Sequence, residues 1–166
     1  DLQWHIQPMS MDTLGDTKNH DFHAFTPTVA NIRPTSRGNV NIVNKDSRVY
    51  AKIKLNYLST DHDRMVAAKG LKLTRKIIME SETFKKYSPQ EYRPGININN
   101  DEELVKAGAE YTQTIFHPVG TCKMGQDEMA VVDKTLKVKG LNNLRVIDAS
   151  IMPNITSGNT NAPTIM

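Results

Sequence analysis

The chain has 166 residues, 38% of them hydrophobic and 23% charged, with a formal net charge of +3. That suits roughly one soluble globular domain with enough apolar material for a core, and the Lys and Arg residues are scattered among Asp and Glu, which excludes the clustered basic stripe of a nucleic-acid surface. The single cysteine, Cys122, excludes an internal disulfide and fits a reducing, cytoplasmic setting, while no apolar run approaches the about 18 residues of a spanning helix.

Taken in chain order, DLQWHIQ alternates Leu2, Trp4 and Ile6 with Gln3, His5 and Gln7, the period of a half-buried strand. DFHAFTPTV is a second strand candidate whose Pro27 places it at an edge or a bulge. NVNIVNKDSRVYAKIKLNYL predicts a hairpin: Val40 and Ile42 lead in, Asn44 to Ser47 turn, and Ala51, Ile53, Leu55 and Tyr57 alternate with polar residues. One apolar face and one wet face imply an antiparallel sheet.

The period then changes. Thr60 or Asp61 offers an N-cap, and Val66, Gly70, Leu73 and Ile77 fall on one helical stripe. The segment 81–96 is a short helix or turn broken by Pro89 and Pro94. A further helix opens at Asn100, with Glu103 three residues on, and keeps Leu104, Gly108, Tyr111 and Ile115 in helical spacing. After His117, TLKVKGLNNLRVIDAS predicts two short strands around Gly140. Strands, then helices, then strands make the class α+β, an antiparallel sheet with helices packed on one side.

The segment TIFHPVGTCKMG carries the chemistry. Pro118 has a fixed φ and biases His117 toward extended backbone, which presents the imidazole from a rigid segment. Together with VVDKTLKVKGLNNLRVIDASIMPNITSGNTNAPTIM, this stretch closely resembles the C-terminal signature of the glucose–methanol–choline (GMC) flavoprotein oxidoreductases. DLQWHIQPM and NIRPTSRGNVNI extend the resemblance upstream to the substrate domain of the choline-dehydrogenase-like branch, so it covers nearly the whole chain.

The resemblance implies residues 1–120 as a substrate-binding domain and 121–166 as a partial FAD-binding segment. It implies FAD as cofactor and oxidation of a primary alcohol to an aldehyde. His117 would take the hydroxyl proton, and Asn159 would orient the substrate oxygen, with Asn161 a second claimant to that place. Imidazole in general ionises near pH 6.5 and suits proton abstraction at neutral pH; a carboxamide holds an alkoxide-like oxygen without adding charge. Asn161, Ala162, Pro163 and Thr164 would neighbour the flavin ring from the start of a helix. Asp148 and Ala149 would lie near the ribityl chain.

No two of the nine glycines are two apart, so no G-x-G-x-x-G dinucleotide cradle is present. The chain also starts on Asp1 and ends on an apolar NAPTIM. It is therefore expected to be a piece of a larger protein, with FAD binding and turnover requiring an N-terminal part. The resemblance further implies an electron acceptor such as a quinone, with oxygen as the rival, and peripheral membrane association of the full-length enzyme. A lyase on the same fold and a non-catalytic binding domain are the alternatives.

Other residues read as structural. His5, His20, His23 and His62 share no metal-ligand spacing. Cys122 reads as a small buried hydrophobe. Arg33 and Arg37 suit hydrogen bonds at a strand bend, the Lys-rich face of 69–76 suits a solvated surface, and Trp4, Tyr57 and Phe116 are candidate pocket walls.

Overall fold

The computed structural model describes residues 1–12 and 18–166. The elements are β1 (Leu2–Gln7), β2 (Thr26–Asn31), β3 (Asn39–Asn41), β4 (Lys52–Lys54), α1 (Asp61–Glu80), α2 (Glu82–Lys85), α3 (Asp101–Tyr111), a 3-10 turn (Ala149–Ile151) and α4 (Asn161–Ile165). The α+β class holds. The chain forms two compact units, one from Asp1–Thr35 with Leu58–Gln113, the other from Ser36–Tyr57 with Thr114–Met166. Compactness thus groups 36–57 with the C-terminal stretch, a division other than a single cut near residue 120.

In the first unit, β1 pairs antiparallel with β2 in the register Leu2↔Asn31, Trp4↔Val29, Ile6↔Pro27. Pro27 donates no backbone hydrogen bond, and a two-stranded sheet has only edges, so the proline is tolerated. α1 packs on β2 and α3. Its start is fixed as expected: the Thr60 hydroxyl accepts from the Asp63 amide at the N-cap.

Of the predicted stripe on α1, Gly70 is buried and Val66 half-buried, but its C-terminal half is not on the buried face. Leu73 and Ile77 are 41% and 43% exposed, whereas Asp63, Ala68, Gly70 and Thr74 are buried. Gly70 lies where a Cβ would meet Val29 at 3.2 Å, so the helix approaches the sheet closely there. The polar members of the stripe are all satisfied, as burial demands. Asp63 accepts from the Thr35 amide at 2.9 Å and the Thr35 hydroxyl at 3.1 Å. Thr74 accepts from the Trp4 indole at 2.7 Å and donates to the Gly70 carbonyl at 2.8 Å.

Asn100 caps α3 by accepting from the Glu102 and Glu103 amides, and Leu104 is fully buried. The face of 69–76 is only partly solvated: Lys72 pairs with Asp101, and Arg75 grips Glu91 through two hydrogen bonds of 2.6 and 2.8 Å. Arg75 and Glu91 side chains are 14% and 12% exposed, and Arg75 also donates to the Ile98 carbonyl and Asn99. The bidentate fork ties the proline-broken stretch 91–99 to the helix.

In the second unit, β3 and β4 pair antiparallel, Val40 opposite Ile53. The hairpin exists, but its strands end at Asn41 and resume at Lys52, so the connection is longer than the expected 44–47 turn. Within it the Asn44 side chain accepts from the Asp46 amide, and Asp46 holds Arg48. Gly38 is required by close approach, since a Cβ there would sit 2.1 Å from the Lys54 carbonyl. The expected strands around Gly140 are reduced to isolated bridges, Val132↔Val138 and Lys137↔Arg145. Asp133 accepts from the amides of Thr135 and Lys137, and Leu136 and Asn143 have positive φ, so turn geometry interrupts the ladder. Ala130, Val132 and Met152 form the buried apolar centre of this unit.

Candidate active site

All the site residues expected from the sequence lie in the second unit. His117 follows Phe116, whose φ of +64° is in the left-handed region. An aromatic residue is costly there. The turn is held by the Phe116 amide donating to the Thr114 hydroxyl at 3.0 Å. Pro118 closes the other side. His117 is therefore set between two constrained residues, and Phe116 itself is 74% exposed.

Gly120, with φ of +92°, turns the chain so that it runs beside the 3-10 turn. The Cys122 amide donates to the Ser150 carbonyl at 3.0 Å and the Met124 amide to the Ile151 carbonyl at 2.8 Å. Asp148 caps that turn, accepting from the Ser150 amide at 2.7 Å. Its carboxyl is held below the usual range by the hydrogen bonds from Ser150. Ser150 and Ile151 thus brace the segment that follows His117, on a turn that Asp148 caps. Cys122 is half-buried rather than fully enclosed.

The decisive contact is on the imidazole. His117 Nδ1 lies 3.0 Å from the Thr160 hydroxyl oxygen, and the Thr160 amide points at the same nitrogen from 3.4 Å. Thr160 is 6% exposed. Its carbonyl accepts from Thr164 twice, the amide at 3.1 Å and the hydroxyl at 2.6 Å. Asn159 is exposed and directly precedes this anchored residue, so the structure places His117 against the neighbour of Asn159. Asn161, Ala162, Pro163 and Thr164 are consecutive on α4, a helix that opens where the sequence predicts one.

Two further readings resolve into structure. Arg37 donates to the Ser36 carbonyl and to Asn154 at 2.9 Å, and Arg33 faces Asp1 at 4.0 Å. The Trp4 indole is committed to Thr74 in the first unit, while Tyr57 is 51% exposed.

Thr160 is the residue that sequence reasoning missed. A signal for it was present. A threonine at an N-cap normally has extended backbone and accepts from the amide of the second or third helical residue; here Pro163 removes the third amide, and Thr160 has helical φ and ψ of −86° and −3°. The hydroxyl makes no cap hydrogen bond and is left for the ring.

A family model described as GMC oxidoreductase matches residues 34–166, and the chain belongs to that family. It is 45% identical over 165 residues to an oxygen-dependent choline dehydrogenase of Pseudomonas syringae pv. tomato, which covers 99% of this chain and 29% of the relative. The corresponding enzyme of Citrobacter koseri is 43% identical over the same share of both chains. Among solved structures, pyridoxine 4-oxidase from Mesorbium loti superposes with a TM-score of 0.82 at 34% identity, over 89% of this chain and 29% of that one. The chain therefore spans under a third of the length of the relatives it matches.

Proposed function

We propose that this chain is part of an FAD-dependent dehydrogenase that oxidises a primary alcohol of the choline type to its aldehyde, with His117 taking the hydroxyl proton. The observation that carries the reading is the placement of His117. Its Nδ1 is held by Thr160, the residue after Asn159, which leaves Nε2 as the nitrogen for substrate. The Asn159 carboxamide would hold the same oxygen as its proton leaves. The names of the relatives, oxygen-dependent choline dehydrogenase, support a small alcohol as substrate.

The residues present fit the cofactor. The first turn of α4 carries no acidic side chain and Thr160 does not cap it, so its backbone amides would meet the developing negative charge of a flavin's pyrimidine end without an opposing carboxylate. Asn161, Ala162, Pro163 and Thr164 would lie against the ring, and Asp148 and Ala149 near the ribityl chain. Bound FAD would supply the acceptor for the hydride leaving the alcohol carbon. Residues 1–120 would serve chiefly the substrate and 121–166 the flavin. The electrons would pass on to a quinone, in a cytoplasmic enzyme associated peripherally with a membrane. The relatives' name favours oxygen as the alternative acceptor. No helix among the described residues is long and apolar enough to cross a membrane.

His117→Ala in the FAD-loaded enzyme tests this. Anaerobic mixing with alcohol should bleach the flavin about 100- to 10,000-fold more slowly than in the parent. A rate within a few-fold of the parent overturns the assignment.

A further inference from the structure

We propose that the turn joining Lys137 to Arg145 carries a binding site for a phosphate group, gripped between the Lys137 ammonium and the Arg145 guanidinium. The inference goes beyond the alcohol reaction and does not depend on the reading of His117.

The site begins with an unfavourable pairing. The Val138 amide donates to the Leu144 carbonyl at 3.0 Å and the Val146 amide to the Leu136 carbonyl at 3.2 Å. These bonds flank the antiparallel bridge Lys137↔Arg145. The two cations are therefore a non-hydrogen-bonded pair, the kind whose side chains stand closest. Like charges directly opposite one another destabilise a ladder. No acid relieves this pair: among the described residues, neither Lys137 nor Arg145 forms an ion pair. Asp133 feels the charge of Lys137, but its carboxylate accepts from the Thr135 amide, the Thr135 hydroxyl and the Lys137 amide instead.

The two cations line one cleft of about 260 Å³ with Leu141, Asn142, Asn143 and Leu144. The other lining groups add donors. The backbone amides of residues 142–145 donate to nothing among the described residues. Asn143 has a φ of +58°, and a left-handed residue within a turn is the element from which anion-binding nests of successive amides are made. Arg145 is steadied by its Nε, which donates to the Thr135 carbonyl at 3.2 Å, and its two Nη groups remain for a ligand. A carboxylate would be satisfied by that fork alone. A phosphate has further oxygens for the ammonium and the turn amides, so it fits the whole set. The phosphate would come from a soluble ion or from a lipid head group, for which Leu141 and Leu144, 60% and 48% exposed, form an apolar rim.

The experiment uses the full-length, FAD-loaded enzyme, in which the phosphates of the flavin are already placed. Sodium phosphate is titrated in by calorimetry, with sodium chloride at matched ionic strength as control. Phosphate alone should bind saturably, and Lys137→Gln and Arg145→Gln should each weaken it about 10-fold or more. Lys137→Gln removes a side chain with no partner, so flavin absorbance and alcohol-driven flavin reduction should stay as in the parent. Flotation with phosphatidylcholine vesicles, with and without phosphatidylglycerol, separates the sources. Binding to the anionic vesicles that is lost in Lys137→Gln assigns the site to a lipid head group, and saturable phosphate heat without flotation assigns it to a soluble phosphate. Absence of both, or binding that survives in both variants, overturns the proposal.

Discussion

The two units of this chain are built by different means. The first has a 20-residue helix, an 11-residue helix and a six-residue strand pair. The second has three-residue strands, a five-residue helix and isolated bridges. Of the described non-glycine residues with positive φ, Asn56, Phe116, Leu136, Asn143 and Ser157 fall in the second unit, and only Leu58 and Ser88 in the first. All the site residues expected from the sequence are in the second. Both units bury apolar residues, Ala68 and Leu104 in the first and Ala130, Val132 and Met152 in the second, but only the second relies on turns, which aim individual side chains and backbone groups.

The comparison breaks most visibly in the core of the first unit. Leu104→Ala should cost about 2–5 kcal/mol, since a fully buried leucine is removed. Trp4, the sole tryptophan, is hydrogen-bonded to α1, so its fluorescence during urea unfolding reads that loss directly. An unchanged midpoint would mean that α1 and α3 do not depend on each other.

A smaller effect is expected for Gly38→Ala. The added methyl would overlap the Lys54 carbonyl and force β3 from β4 at about 1–3 kcal/mol. Amide exchange across residues 39–41 and 52–54 should quicken while the Trp4 signal stays as in the parent. Quickened exchange throughout α1 would show that the units are not separable in this way.

Acid should reveal the smallest difference. Asp46, Asp127, Asp133 and Asp148 in the second unit are held below their usual range, chiefly by hydrogen bonds from Arg48, Lys123, Thr135 and Ser150 respectively. In the first unit Asp12 is held down, first by His20. A carboxyl depressed in the folded state contributes stability above its unfolded value of 3.8 and loses it as pH falls through the folded value. The turns of the second unit should therefore loosen first below about pH 4, seen as earlier broadening of the Asp133 and Asp148 turn amides than of any change at Trp4. Simultaneous loss would remove this distinction.

Much of the fold was legible in the sequence where local chemistry sufficed. Thr60 and Asn100 cap their helices as their side chains dictate, β1 follows its two-residue alternation, and His117 and Asn159 carry the family resemblance. The burial of α1 was not legible, because periodicity marks apolar residues and cannot foresee that Asp63 and Thr74 find partners in Thr35 and Trp4, which lie far away in the chain. The Arg75–Glu91 pair was hidden for the same reason: a charged residue among lysines looks solvated until a distant carboxylate closes on it.

The residue types alone determined the α+β class, the caps, the family and the histidine. Only tertiary structure decided which nitrogen of that histidine is engaged, because the threonine that engages it lies 43 positions away in sequence and makes no cap hydrogen bond to its own helix. Local propensity acts over a few residues, whereas a ring is oriented by whatever polar group the fold brings within 3 Å of it.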